Sequence, residues 1–451
     1  MEECNRRKIL ELFDKYAADW KPRAAAGIEK YRKGDAVVTV RDRGGRPVPG
    51  ARIKLSQKTH EFRFGANIFM LDELESDEKN EKYKKIFAET FNMATLPFYW
   101  DTLEPVKGSP RYAKDSPKIY RRPPIDLCVE FCEKHGIEPR EHALAYDHFF
   151  PAWLAGAGAD RVKPELERRF REISERYAKK IPTIEVTNEM AWTTGKTLFY
   201  DDRDYIEWCF RTAEKYFPDN ELGINESTLL AWGDKGRATD KYYAYIEAAL
   251  LKGARIDAIG MQYHLFNRRE VEYERTRLTL DPLRLYRQMD LYSDFGKPLQ
   301  VTEVTVPAFS AEPEDEAIQA EILENIYTIW FSHLNVEQII YWNLVDGYAH
   351  VWDPDPEKIR ATQGDMTIGE NYYYGGLLHF DMTPKPAFLR LRELIYGRWR
   401  TETEAVTDEY GRVSFRGFFG GYDAQIDAGE KTASASFTLS KKSDNRVDLT
   451  V

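Results

Sequence analysis

Residues 164–189, PELERRFREISERYAKKIPTIEVTNE, decide how the chain is read. The first part has the charged, amphipathic pattern of a helix. The second is a short apolar strand that stops on Asn188 and Glu189. From about residue 62 the same alternation recurs. Strands are read at 62–67, 90–95, 138–144, 183–189, 221–227, 257–264, 298–304 and 338–344, with helical segments such as 317–334 between them. Eight short strands joined by helical crossovers predict an α/β fold, a (β/α)₈ barrel. An open doubly wound sheet is the other parallel arrangement. Its dinucleotide-binding form is weakened because no GxGxxG follows the first strand.

Outside this core the patterning changes. Residues 1–35 read as a helical segment. In 36–57, alternating apolar residues flank Gly44–Gly45 and Pro47-Val48-Pro49-Gly50, the pattern of two strands and a turn. The barrel is expected over 58–400 and ends in a helix at 385–397. Residues 401–451 turn strand-like again at 411–419, 422–427, 432–440 and 446–451. Neither flank has enough strands to stand alone, so the two are expected to combine into one small β-sandwich-like module, most simply a structural brace.

Composition narrows the function classes. The formal net charge is −10, which argues against nucleic acid as a partner. No apolar run is long enough to span a membrane. The opening, MEECNRRKILELFDKY, lacks a signal peptide's apolar stretch. The expected location is therefore cytoplasmic, or secreted or periplasmic if a targeting segment is missing from the chain. Cys4, Cys128, Cys132 and Cys209 form no disulfide pattern, and Cys128 and Cys132 read as buried thiols.

In barrels of this kind, chemistry gathers at the C-terminal ends of the strands. Strand four ends in Asn188–Glu189 and strand seven in Glu303. Strand six ends in Gln262 and His264, and strand five in Asn225–Glu226. His142 closes strand three, with Tyr146, Asp147 and His148 just beyond, and strand eight closes on Trp342–Asn343. A single buried Glu at such a place often serves a structural ion pair. Two of them, on strands four and seven, suit glycoside hydrolysis, in which one carboxyl protonates the leaving oxygen and the other attacks the anomeric carbon. A retaining enzyme needs the pair about 5–5.5 Å apart. A metal site built from His142, His148, His264 and Asp147 has no recognised spacing. HExxH, a GxSxG elbow and a Walker loop are all missing.

The sequence resembles glycoside hydrolase family 10, the endo-β-1,4-xylanases, over roughly residues 60–396. The segments that carry the likeness, in order, are FGANIF (64–69), EHALAYDHFFPAWL (141–154), IEVTNEMAW (184–192), IGMQYHLF (259–266), LQVTEVTV (299–306), YWNLVDG (341–347) and GGLLHFDMTPKPAF (375–388). Each is weak singly, and seven in register are specific. The resemblance implies a retaining double displacement on a polysaccharide or oligosaccharide, with no cofactor and no metal. It makes Glu303 the nucleophile and Glu189 the acid/base. Asn188 would bind the sugar 2-hydroxyl, His264 would orient the nucleophile, and Gln262 would line the reactive subsite. Trp342 and Trp352 would form apolar walls. His142, Tyr146, Asp147 and His148 come from the third-strand motif.

Two departures bear on substrate. After strand two the family carries Glu, Asn and Lys groups that hold the sugars on the non-reducing side. This chain has TLPFYWDTLEP (95–105) there, with Leu96, Pro97, Phe98 and Tyr99. Phe98 and Tyr99 are expected to stack on a differently shaped or substituted ring, so that plain linear xylan is a poor substrate. Second, the family's Trp-His becomes Tyr146–Asp147. An Asp beside Glu303 would raise the nucleophile's pKa, with His148 as the compensating group. Two other readings stand beside the hydrolase: a non-catalytic carbohydrate-binding protein on a glycosidase-like barrel, and a barrel enzyme of unrelated chemistry.

Overall fold

The computed structural model describes residues 6–192, 194–352 and 356–451. Cys4 lies outside the described residues; Cys128, Cys132 and Cys209 are buried free thiols. Strands are numbered along the chain. The first two are β1 (Lys33–Arg41) and β2 (Arg52–Gln57). The next eight are β3 (Arg63–Asn67), β4 (Met93–Pro97), β5 (Glu138–His142), β6 (Thr183–Asn188), β7 (Glu221–Glu226), β8 (Ala258–His264), β9 (Leu299–Thr305) and β10 (Val336–Tyr341). These eight pair in parallel in chain order, and β10 closes on β3. The fold is thus the (β/α)₈ barrel that the alternation predicts.

Helices cover the outside of the barrel. Ala159–Tyr177 buries Val162, Leu166, Phe170 and Ile173 along one face, the i, i+4 spacing that lays a stripe onto the strands. Pro313–Ser332 is buried along most of its length. The reason is a second layer: the N-terminal helix Ala17–Tyr31 packs on it. A Cβ on Gly27 would meet the Ser332 carbonyl at 2.3 Å, so this crossing needs a residue without a side chain. Arg6, at the start of the N-terminal segment, is pinned by Glu272 and Asp315.

The two flanks form one module. Its remaining strands are β11 (Glu402–Val406), β12 (Arg412–Phe418), β13 (Gly420–Asp427), β14 (Thr432–Leu439) and β15 (Arg446–Thr450). One sheet runs β12-β1-β15 and the other β11-β2-β13-β14. Strands β1 and β2 are therefore not a hairpin: they lie in different sheets. Their alternation explains this, because Ala36, Val38 and Val40 of β1 and Ile53 and Leu55 of β2 all face the same shared core. Strand β11 escapes the sequence reading because ETEAV is an edge strand with no buried residue.

The module sits at the N-terminal end of the barrel. Phe418 packs on Phe331, and Phe331 stacks on Trp399 and touches Phe64 at the start of β3. Arg32, just before β1, donates to the carbonyls of Phe331, His333 and Val336, where β10 begins. The C-terminal strand ends, where the candidate residues lie, are at the far side.

Candidate active site

The C-terminal strand ends surround a cleft of about 950 Å³. Its walls include Tyr99, His142, Tyr146, His148, Glu189, Gln262, His264, Glu303, Trp342 and Trp352. Local irregularities aim the two carboxyl groups. The pairings of β9 with β8 and with β10 shift register around Val301–Val304, next to Glu303. Glu189 itself adopts φ 50°, a left-handed backbone that costs a residue with a side chain about 1–2 kcal/mol. Its backbone N–H donates to the carbonyl of Asn225, which fixes this turn against β7.

Each carboxylate is held by two side chains. Gln262 Nε2 donates to Glu189 Oε1 at 3.0 Å, and the Tyr146 hydroxyl donates to Oε2 at 2.7 Å. Asn225 Nδ2 donates to Glu303 Oε1 at 3.1 Å, and His264 Nε2 lies 3.1 Å from Oε2. Gln262 also donates to Asn188 Oδ1 at 3.2 Å, which leaves the buried Asn188 Nδ2 without a protein partner. That donor is unpartnered and buried beside Glu189, and Asn188 itself does not line the cleft.

Below the cleft lies a charged layer inside the barrel. Arg140, Glu185 and His142 are almost wholly buried. Arg140 donates to Glu185, and His142 Nδ1 is 2.9 Å from Glu185 Oε1. Asn225 bridges this layer to the site: its Nδ2 also reaches Glu185 at 3.3 Å, and its Oδ1 accepts from Thr302 at 2.8 Å. A Cβ on Gly260 would stand 2.5 Å from Asn225 Oδ1, so the glycine leaves room for that amide. Burial opposes ionisation of Glu185, but the charge of Arg140 and then His142 outweighs it and holds Glu185 below the usual carboxylate range. His142, Glu185 and Glu303 bring ligand-type atoms within 4.8 Å of one another, and Glu185 is already paired with Arg140 and His142.

Glu303 behaves differently. Burial pushes its carboxyl up to about 8, against an attraction to His142, with the charges of Glu185 and Glu189 adding to the rise. His264 is pushed down to about 4 by burial, so it is neutral at pH 7. The neutral imidazole links Glu303 to Thr305, whose Oγ1 is 2.9 Å from Nδ1 and 3.3 Å from the Trp342 carbonyl. With Glu303 ionised, His264 donates from Nε2 and accepts from Thr305. With Glu303 protonated, the tautomer reverses and Thr305 turns to Trp342.

The raised value has a consequence for stability. The folded chain binds more protons than the unfolded one between the ordinary 4.5 and about 8, so stability falls as pH rises through that window. Glu303→Gln removes this titration. Its melting temperature should match wild type near pH 4.5 and exceed it by on the order of 2–4 °C at pH 8 to 9. Thermal melts across that range read the difference; a constant offset at all pH values contradicts the cause given.

Several expected site residues take other places. Asp147 does not approach Glu303. Its carboxylate accepts from the backbone N–H and the hydroxyl of Thr194, the latter at 2.7 Å, and so anchors the loop after Glu189. The rise at Glu303 comes from burial, Glu185 and Glu189 instead. His148 lies by Glu189, 3.7 Å from Oε2, rather than by Glu303. His142 lines the cleft but spends both ring nitrogens on protein, on Glu185 and on the Tyr99 hydroxyl at 3.0 Å. Phe98 is wholly buried against Tyr177, away from the cleft, because its backbone follows the end of β4 back into the wall. Of the expected stacking pair, Tyr99 alone reaches the site, and its ring is wedged among Phe69, Phe149 and His142. Trp342 is a buried wall against His264 and His142, whereas Trp352 stands exposed at the rim beside His350.

Other polar residues at the site carry no motif in the sequence. Asn225 and Glu226 stand out there only as a strand end. Glu226 accepts from the backbone N–H groups of Ala191 and Ser227, and burial pushes its carboxyl up to about 7. Arg140 and Glu185 carry the one legible signal, charges inside short strands. Arg121 and Arg122, far from any motif, also line the cleft.

The profile of glycosyl hydrolase family 10 matches residues 56–389. The anti-sigma-I factor RsgI6 of Acetivibrio thermocellus is 24% identical over 410 residues, 89% of this chain and 46% of its own length. Endo-1,4-beta-xylanase 2 of Arabidopsis thaliana is 24% identical over 402 residues, 87% of this chain and 32% of its own length. The chain thus spans less than half the length of these relatives, while both similarities run beyond the barrel into the flanking β-module. Among solved structures, native xylanase 10B from Thermotoga maritima matches with a TM-score of 0.57 at 20% identity, covering 75% of this chain and 96% of that one. Xylanase 10B from Thermotoga petrophila in complex with xylobiose gives 0.56 at 20%, covering 75% and 95%. Barrel, matched span and relatives agree: the chain belongs to glycosyl hydrolase family 10.

Proposed function

We propose that the protein is a retaining glycoside hydrolase acting on a β-1,4-xylan-type or related plant polysaccharide. Glu303 attacks the anomeric carbon and Glu189 is the general acid, then the general base. The observation that carries this reading is the pair of differently dressed carboxyls in one cleft. Glu303 accepts from Asn225 and is tied to the neutral His264, while Glu189 is held by Gln262 and the Tyr146 hydroxyl. Among the described residues, only His264 lies within ion-pair distance of Glu303, and it is neutral at pH 7. In the first step Glu303 bonds to the anomeric carbon as the leaving oxygen takes the Glu189 proton. In the second, Glu189 takes a proton from water, and the water oxygen displaces Glu303.

Reducing-sugar release from a panel of plant polysaccharides, followed by proton NMR of the fresh products, tests the reading. Hydrolysis with the β-anomer appearing first is expected. The α-anomer appearing first would mean a single inverting displacement, with no glycosyl–enzyme and Glu303 not a nucleophile. Tight binding of a polysaccharide without hydrolysis of any would make the protein a carbohydrate-binding module on a barrel.

A further inference from the structure

One end of the cleft carries two guanidinium groups that form no ion pair with any described residue. The loop between β4 and the helix Ile125–His135 brings Arg121 and Arg122 to the cleft wall, where they are 3% and 7% exposed. Arg121 adopts φ 59°, and its Nη1 donates to Asn343 Oδ1 and to the Tyr348 carbonyl. Arg122 donates from Nη1 to the Arg121 carbonyl at 2.9 Å. In both, Nε is buried without a partner, and no hydrogen bond is made by Nη2 to any described residue. Neither has a carboxylate within 4.0 Å among the described residues, although Arg23, Arg168 and Arg176 elsewhere on the surface all do. Glu370 and Asp101 stand farther off; Glu370 is held instead by the amide of Asn343 at 3.1 Å.

Two adjacent guanidinium groups, buried and unpaired, repel each other and have lost water. What the protein does supply is aromatic faces. The Arg122 guanidinium lies 3.9 Å from the Tyr99 ring centre, and that of Arg121 lies 5.4 Å from Phe69. Stacking of this kind occupies the flat faces of the groups and leaves the Nε–Nη2 edge of each without a described partner. Those edges match a planar carboxylate, which two forks can hold with several charge-assisted hydrogen bonds. Phosphate-bearing sugars would need the same charge but not the planar fit, and uronic acids are the common anionic unit of plant cell-wall polysaccharides.

Building on the hydrolase reading above, we propose that this end of the cleft is a subsite for a uronic-acid carboxylate, with Arg121 and Arg122 as its specificity-determining residues. The substrate is then an acidic, uronate-substituted xylan-type chain. The subsite lies beyond Tyr99, whose ring stands between Arg122 and His142.

The test compares xylo-oligosaccharides carrying one 4-O-methylglucuronic acid with the same oligosaccharides after reduction of the carboxyl to an alcohol. Wild type should show kcat/KM at least about tenfold higher on the acidic form, and rising NaCl should erode that ratio. Arg122→Lys keeps the charge but loses the fork, and should cut the ratio severalfold; Arg121→Gln combined with Arg122→Gln should bring it near one. The salt series needs no variant, so it decides even if the double variant does not fold. Equal rates on the acidic and reduced forms would overturn the subsite and leave the hydrolase reading intact. Binding to Glu303→Gln, measured by calorimetry, separates the other failure: no hydrolysis of either form with a preserved tenfold preference for the acid sinks the hydrolase reading and keeps the subsite.

Discussion

Glu303→Gln should abolish hydrolysis, lowering kcat on the best polysaccharide by roughly 10⁴-fold or more with little change in KM. The amide keeps the size of the side chain and loses the nucleophilic oxygen, so no glycosyl ester forms. It also changes what the neighbours meet. Asn225 Nδ2 and His264 Nε2 both approach Glu303 as groups that can donate. An amide accepts from one and presents its own N–H₂ to the other, which His264 resolves by taking the opposite tautomer through Thr305. The variant therefore keeps the shape of the site. Reducing-sugar assays on wild type and variant measure the loss. A fall of less than about tenfold would mean that some other group attacks, and the double-displacement scheme would fail. The same substitution should stabilise the fold at alkaline pH, so inactivity through unfolding is separable from inactivity through chemistry.

The barrel was legible because its signal is repeated. Eight separate apolar runs each needed to be only roughly placed. Their ends were off by at most three residues, as with 90–95 against Met93–Pro97, and the order still followed. Glu189 and Glu303 were legible for the same reason: each is an acidic residue at or near the C-terminal end of such a run. The groups that hold them were less so. Gln262 and His264 share a strand end and could be read together, but Asn225 matters only because Gly260 on the next strand makes space for it. That is a contact between strands, and no local pattern records it. Asp147 shows the opposite error. Its place in a motif suggested the cleft, yet a loop that turns back from Glu189 offers it two donors on Thr194, and a carboxylate in a partly apolar site takes the donors available. In the flank, both faces of β1 and β2 were readable by alternation, while their assignment to opposite sheets depends on β12, β13 and β15, which lie more than 350 residues later.

Glu189→Ala should split substrates by leaving group. A sugar hydroxyl is a poor leaving group and needs the proton that Glu189 gives, so hydrolysis of polysaccharide should fall by about 10²–10⁴-fold. A dinitrophenyl β-glycoside departs without that proton. Its first step should proceed at nearly the wild-type rate, and the glycosyl–enzyme on Glu303 should then accumulate, because no base activates water for the second step. The expected record is a burst of dinitrophenol equal to the enzyme present, followed by a slow steady state. Azide, a nucleophile that needs no base, should restore turnover and leave a β-glycosyl azide as product. Position in the cleft favours this assignment over the reverse one, although burial holds the Glu303 carboxyl up at about 8. Glu189, held by Tyr146 and Gln262, has His148 3.7 Å away at the partly exposed side of the cleft. Glu303, by contrast, is 4% exposed and deeper in the barrel, closer to Glu185. A deeply seated carboxylate suits attack from beneath the sugar ring, and a carboxyl nearer solvent suits proton exchange with the leaving group and then with water. Should the burst and the azide product appear with Glu303→Gly instead, and not with Glu189→Ala, the two roles would have to be exchanged.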